Sequence, residues 1–199
     1  LFCAIENSTR RGLLRGAVSL HDDITDEVMT LRLMKKIISG GQTGVDQAAL
    51  RAARDCGLEI GGWCPPGRMC EAGLIPDEFP LEETELERSL AAPDVPRSQR
   101  TEWNVRDSDG ALVLTVDGNR SGCPRISDAG TAWAMQCAKR YVRPLLICDL
   151  SDPAAKQKIQ EWIRANEIKV LSVGGPAESS SPGIGDHAYG LLRSVFDDL

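Results

Sequence analysis

The chain has 199 residues, 42% of them hydrophobic, and a formal net charge of -6. That length supports one α/β domain with a sizeable core, and the acidic balance argues against nonspecific nucleic-acid binding, which draws on clustered Lys and Arg. No apolar run approaches the ~20 residues needed to span a bilayer, and no basic region followed by a long apolar core marks a secretory leader. Seven cysteines, an odd number without close pairing, point to free thiols in a reducing cytoplasm. Cys56, Cys137 and Cys148 fall on apolar positions and are expected in the core.

Residues 1–33 show weak periodicity and mixed charge and are read as an N-terminal extension with no assigned role. The domain is expected to span 34–199, with Met34 running straight into a first strand at Lys36-Ile37-Ile38. Ser39-Gly40-Gly41-Gln42-Thr43-Gly44-Val45-Asp46 follows, and then Val45, Ala48, Ala49, Ala52, Ala53 and Cys56 repeat at helical spacing. Glycines let a backbone approach a ligand closely, and a helix N-terminus carries about half a positive charge. Strand, glycine turn and helix therefore predict an anion site, usually for phosphate. The turn lacks the Gly-Lys-Ser/Thr of a P-loop and the spaced glycines of a dinucleotide fingerprint. Thr43 and Asp46 match a capping box; Gln42 is a candidate ligand donor, and Asp46, if it touches ligand, suits a hydroxyl or amine.

Gly57 fits a helix C-cap. Leu58 to Trp63 reads as a second strand, and Cys64 to Leu81, rich in Gly and Pro, as a long loop of the kind that is usually functional. The acidic stretch 82–91 predicts a short surface helix, with Glu82, Glu83, Glu85 and Glu87 as a solvated face. Gln99 to Arg106 predicts a helical turn, and Ala111 to Val116 a buried strand. After a loop over 117–127, Ala129 to Tyr141 predicts a helix buried over most of its circumference. Pro144 to Asp149 reads as a strand, followed by a helix capped by Ser151 or Asp152, with Pro153 in its first position and Ile159, Trp162 and Ile163 facing the core. Ile168 to Val173 predicts the last strand, and Ile184, Ala188, Leu191, Leu192 and Val195 one face of a final helix.

Strands alternating with helices imply a Rossmann-like three-layer domain with a mainly parallel sheet of about five or more strands. Ligands in such sheets bind outside the strand C-termini. Gly40-Gly41, Gly62 and Gly174-Gly175 end three strands, and their loops are expected to share one rim. Arg68 offers a planar fork for oxyanions, with Arg120 and Arg125 as further candidates. Asn104, Asp107 and Ser108 are expected to read the rest of a ligand, and Asp109 to be structural. Gly130 and Thr131 form a second amide-rich helix start. Cys64 and Cys70 lack zinc-site spacing, and a lone domain histidine, His187, supports no nucleophilic triad. Glu71 is the acidic residue of the glycine-rich loop to test as a catalytic group.

Several motifs stand in a recognisable order: Ser39 to Asp46, Gly62-Trp63-Cys64-Pro65-Pro66-Gly67-Arg68, Ile75-Pro76, Phe79-Pro80-Leu81, Arg100 to Val105, Asp107 to Gly110, Val173 to Ser179 and Pro182-Gly183-Ile184. This order resembles the putative molybdenum carrier family, also called circularly permuted YpsA, over about residues 35–198. That family is grouped with the LOG (lysine-decarboxylase-like) proteins and the DNA-processing protein DprA. The resemblance implies a Rossmann-like fold, a ligand that is molybdenum cofactor or related to a nucleotide, and homo-oligomers, with molybdoenzymes as partners of a carrier. LOG phosphoribohydrolases carry a catalytic Glu in Pro-Gly-Gly-x-Gly-Thr-x-x-Glu; the matching stretch here is Asp128 to Ala134, and Ala134 occupies the Glu position. A methyl group supplies no acid–base chemistry, so the expectation is binding without bond cleavage. A nucleotide sensor and a nucleotide-derivative hydrolase remain the alternatives.

Overall fold

The computed structural model describes residues 33–116 and 129–199. Strands β1 (Lys36–Ile38), β2 (Glu59–Gly61), β7 (Gly110–Thr115), β8 (Leu145–Asp149) and β9 (Val170–Gly174) form one sheet in the order β2-β1-β9-β7-β8, with every neighbouring pair parallel. The last strand of the chain thus lies in the middle of the sheet. Reading β9 as first in sequence turns the order into 3-2-1-4-5, the arrangement of a doubly wound nucleotide-binding sheet. The topological switch point then falls between β9 and β7, where the connections diverge to opposite sides.

Helices α1 (Val45–Asp55), α4 (Ala155–Ala165) and α5 (Ile184–Asp197) cover one sheet face; α2 (Ser98–Arg106) and α3 (Ala129–Arg140) cover the other. Strand β7 is buried throughout, and its side chains divide by alternation. Leu112 and Leu114 join Ala48, Ala52, Ile159 and Leu192 in the larger core, while Ala111 packs with Val105, Trp133 and Cys137 beneath α2 and α3. The helical face foreseen for α1 is fully buried, and its alanines let α5 approach closely. Gly57 ends α1 at φ 73°, with Gly57 N–H donating to Arg54 O and Leu58 N–H to Ala53 O, a Schellman turn.

Several boundaries differ from expectation. The second strand stops at Gly61, because Gly62 at φ 126° turns the chain away. Trp63–Cys64 (β3) then pairs with Glu82–Glu83 (β6) in a separate two-stranded ribbon. The loop 64–81 contains a second small ribbon, β4 (Met69–Cys70) with β5 (Gly73–Leu74). Residues 82–91 form no helix. Their backbone donors are taken elsewhere: Leu86 N–H by Gln99 Oε1 at 2.6 Å and Ser89 N–H by Ser98 Oγ at 2.8 Å, both on α2. Helix α2 is a full nine-residue helix rather than a turn. Helix α3 buries only Thr131, Trp133, Cys137 and Ala138, so it is half-buried. Asp152 accepts from Ala154 N–H at 2.8 Å, but α4 begins at Ala155, leaving Pro153 in the preceding turn.

Candidate functional site

A cleft with a cavity volume of about 80 Å³ opens at the switch point between the α2–α3 layer and the C-terminal halves of β7 and β9. Ser172 and Gly174 of β9 present their faces to it, Gly130 and Thr131 bring the start of α3, and Gly40 and Asp46 enter from the β1–α1 junction. Arg100 and Asn104 arrive from α2. Thr131 is buried at this mouth, so the positive end of the twelve-residue α3 faces the cleft.

Arg100 is the residue that the motif analysis left without a role. Its Nη1 donates to Asp46 Oδ2 at 3.0 Å. The guanidinium lies on Gly40 so closely that a Cβ there would stand 2.2 Å from Nη1. Its Nε is buried and has no acceptor among the described residues. Asp46 is 2% exposed. Burial pushes its carboxyl up, opposed by the Arg100 charge and by the amides of Gln42 and Gly40. The glycine turn therefore directs its amides at an anion, and that anion is the chain's own Asp46.

The capping box expected of Thr43 and Asp46 does not form. Gly44, at φ 78°, is the N-cap of α1 and has no side-chain cap. Thr43 Oγ1 instead donates to Glu71, and Asp46 accepts from Gln42 N–H at 3.3 Å. Gly41, at φ 73°, and Gly44 meet protein rather than open space: a Cβ would stand 2.5 Å from Leu81 Cδ1 at the first and 2.6 Å from Pro176 O at the second. Gly175 is equally hemmed in by Leu114 O and Val45, whereas a Cβ on Gly174 would point toward Asp46 Oδ1 at 3.9 Å.

The cleft unites Gly40, Asp46, Asn104, Gly130, Thr131, Gly174 and Gly175 of the expected site. The remaining members lie elsewhere and have partners. Gln42 Oε1 accepts from Thr43 N–H at 3.0 Å and Glu71 N–H at 2.9 Å. Arg68 spends its fork on the carbonyls of Leu81 (2.7 Å), Phe79 (3.0 Å) and Pro76 (3.3 Å), bracing its own loop. Asp107 accepts from Trp63 Nε1 at 2.7 Å and from Arg106, and Ser108 Oγ donates to Val105 O at 2.9 Å at the end of α2. Asp109 is structural as expected: its Oδ2 accepts from Val170 N–H at 2.8 Å and Lys169 N–H at 3.1 Å, fixing the start of β9.

Glu71 accepts from Thr43 Oγ1, Ser179 N–H (2.9 Å) and Ser179 Oγ. The hydrogen bonds from Ser179 and Thr43 hold its carboxyl below the ordinary glutamate range. It clasps three loops as a carboxylate, a poor state for a general acid. His187 lies exposed in the first turn of α5, and Glu82, Glu83, Glu85 and Glu87 are exposed as foreseen. Cys64 and Cys70 are buried, and the described residues contain no cluster of three or more His, Cys, Asp or Glu suited to a metal ion. Arg120 and Arg125 lie outside the described residues.

The sequence profile of the circularly permutated YpsA SLOG family matches residues 37–196. The chain belongs to that family. In its sheet the final strand takes the central place. Among solved structures, the chain is similar to a "putative molybdenum carrier protein" from Syntrophus aciditrophicus SB, with 35% identity and a TM-score of 0.71 over 82% of this chain and 95% of that one. No curated protein matches the chain significantly. This SLOG-fold chain is of a nucleotide- or small-molecule-binding type, and no helix among its described residues is long and apolar enough to cross a membrane.

Proposed function

We propose that the switch-point cleft binds a phosphate-bearing small molecule and releases it unchanged. The observation that carries this reading is Arg100, a largely buried guanidinium whose Nε has no acceptor among the described residues, beside the start of α3. An arginine fork and a helix N-terminus are the two commonest devices for holding phosphate oxygens. Ala134 lines the same cleft at the position where LOG hydrolases place their glutamate, and Glu71 is committed to its clasp, which favours binding over hydrolysis.

Molybdenum cofactor is the candidate ligand offered by the similar structure's name. The lining fits the cofactor's phosphate, through Arg100, Gly130 and Thr131. Among the described residues the lining contains no thiol or imidazole for the metal. In a cell such a protein would act as a carrier or store, working as a homo-oligomer and delivering to molybdoenzymes.

Native mass spectrometry of freshly purified protein, repeated after denaturation and joined to elemental analysis, tests the reading. A released pterin with molybdenum supports the carrier role. A nucleotide-like mass without molybdenum supports a sensor, and ligand-dependent mass in light scattering would then reveal a change of oligomer. Turnover of nucleoside monophosphates that Glu71→Gln abolishes would replace the binding role with a hydrolase.

A further inference from the structure

Among the described residues, Arg100 and Asp46 are the two charged residues lining the cleft. They are paired at 3.0 Å, with the Arg100 side chain 18% exposed and that of Asp46 2% exposed. From β1 and its turn, Ser39, Gly40 and Gln42 present only polar groups to Asp46. From β9 come Ser172, Gly174 and Gly175, and from α3 come Gly130 and Thr131, none of them charged. The described lining of the cleft is therefore neutral overall. An anion entering it meets a guanidinium already shared with a buried carboxylate. Two anions around one cation in a water-poor site are costly, and the site sheds that cost most readily by protonating one of them.

We propose that anion binding in this cleft draws one proton from solvent onto Asp46, exchanging the Asp46–Arg100 ion pair for an anion–Arg100 pair beside a neutral carboxyl. The inference rests on the cleft being the ligand site. Geometry favours Asp46 over a new counter-ion. Its Oδ2 already takes Arg100 Nη1 and Gln42 N–H, while Oδ1 is turned to the open side of Gly174, where no Cβ intervenes. Protonated there, Oδ1 becomes a donor and can hydrogen-bond an oxygen of the arriving anion. Burial has already moved the Asp46 carboxyl toward the neutral state. The pair thus selects ligands that bring a net negative charge and an acceptor oxygen to this corner.

Calorimetric titration of the full chain with sulfate, whose charge is constant between pH 5 and 8, tests the coupling. Above the Asp46 pKa of the complex and below that of the free protein, affinity is flat; between the two it rises about tenfold for each unit of falling pH. Heats measured in buffers of different ionisation enthalpy should report uptake of close to one proton in that window. Asp46→Asn should bind sulfate more tightly than wild type at pH 8, with no slope, and Arg100→Met should lose binding. If Asp46→Asn does not fold, the buffer dependence of the wild type decides alone. Sulfate binding without proton uptake anywhere between pH 5 and 8 overturns the coupling and leaves the cleft as the ligand site. Absence of sulfate binding by the wild type at every pH overturns both.

Discussion

Asn104 holds the backbone of Trp63 from both sides: its Oδ1 accepts from Trp63 N–H at 2.8 Å and its Nδ2 donates to Trp63 O at 2.9 Å. A side chain of α2 thus takes the place of a neighbouring strand where the chain leaves the sheet. Gly62 makes room, since a Cβ there would lie 2.6 Å from Asn104 Oδ1. Asn104 is buried, so Asn104→Ala strands two backbone groups away from good partners. The expected cost is roughly 2–4 kcal/mol, read from the midpoint of urea unfolding. A loss below about 0.5 kcal/mol would mean that water replaces the amide freely, and that this contact does not fix β3.

Gly40→Ala tests the placement of Arg100. The new methyl would stand 2.2 Å from Nη1 and 2.7 Å from Cδ, so the whole arm must move and the pair with Asp46 must break. The backbone of Gly40 has no positive φ, so the effect comes from displaced Arg100 and not from strain. Stability should fall by roughly 1–3 kcal/mol, and sulfate affinity should fall with it. Unchanged sulfate titration in a folded Gly40→Ala protein would move the anion site away from Arg100.

The same contact marks the limit of sequence reading. The α1 face and the Gly57 turn were legible because each depends on residues close in sequence, and the parallel sheet because strands alternate with helices. The Arg100–Asp46 pair spans 54 positions, and nothing in the local pattern of α2 says that one of its arginines lies on Gly40. Gly41 and Gly44 read as ligand-facing glycines, yet Leu81 and Pro176 already occupy the space that a side chain would need. Arg68 carried the right chemistry for an oxyanion, but three carbonyls of its own loop claim that chemistry. A signal for Arg100 did exist: its motif stood among those that carried the resemblance, and a charged residue in such a set needs a partner of opposite sign.

Glu71 ties the glycine turn to the loop before α5, and its carboxyl lies below the ordinary glutamate value. A depressed folded-state pKa stabilises the protein above the unfolded pKa of about 4.3, and that contribution is lost as pH falls through the folded value. Acidification below about pH 4 should therefore loosen this clasp, seen as faster hydrogen exchange in the segments around Thr43 and Ser179. Glu71→Gln should show the looser exchange already at pH 7 and no further change at this clasp on acidification. Identical exchange in the two proteins at neutral pH would remove the clasp from the account.

Val142 ends α3 in a conformation better suited to glycine. It lies at φ 53° and is 86% exposed, while Val142 N–H donates to Lys139 O at 3.3 Å and Arg143 N–H to Ala138 O at 2.8 Å. This is the same turn that Gly57 makes after α1. A left-handed conformation costs an L-residue roughly 1–2 kcal/mol, and β-branching adds crowding. Glycine removes that cost but gains freedom in the unfolded chain. Little apolar burial is lost at so exposed a position. Val142→Gly should thus stabilise the domain by about 1 kcal/mol, raising the thermal midpoint by roughly 2–4 °C for a domain of this size. Gly57→Val, the reverse change in the matching turn, should destabilise by at least as much. A lowered midpoint for Val142→Gly would show that the valine stabilises this end of α3 by contacts stronger than its backbone strain.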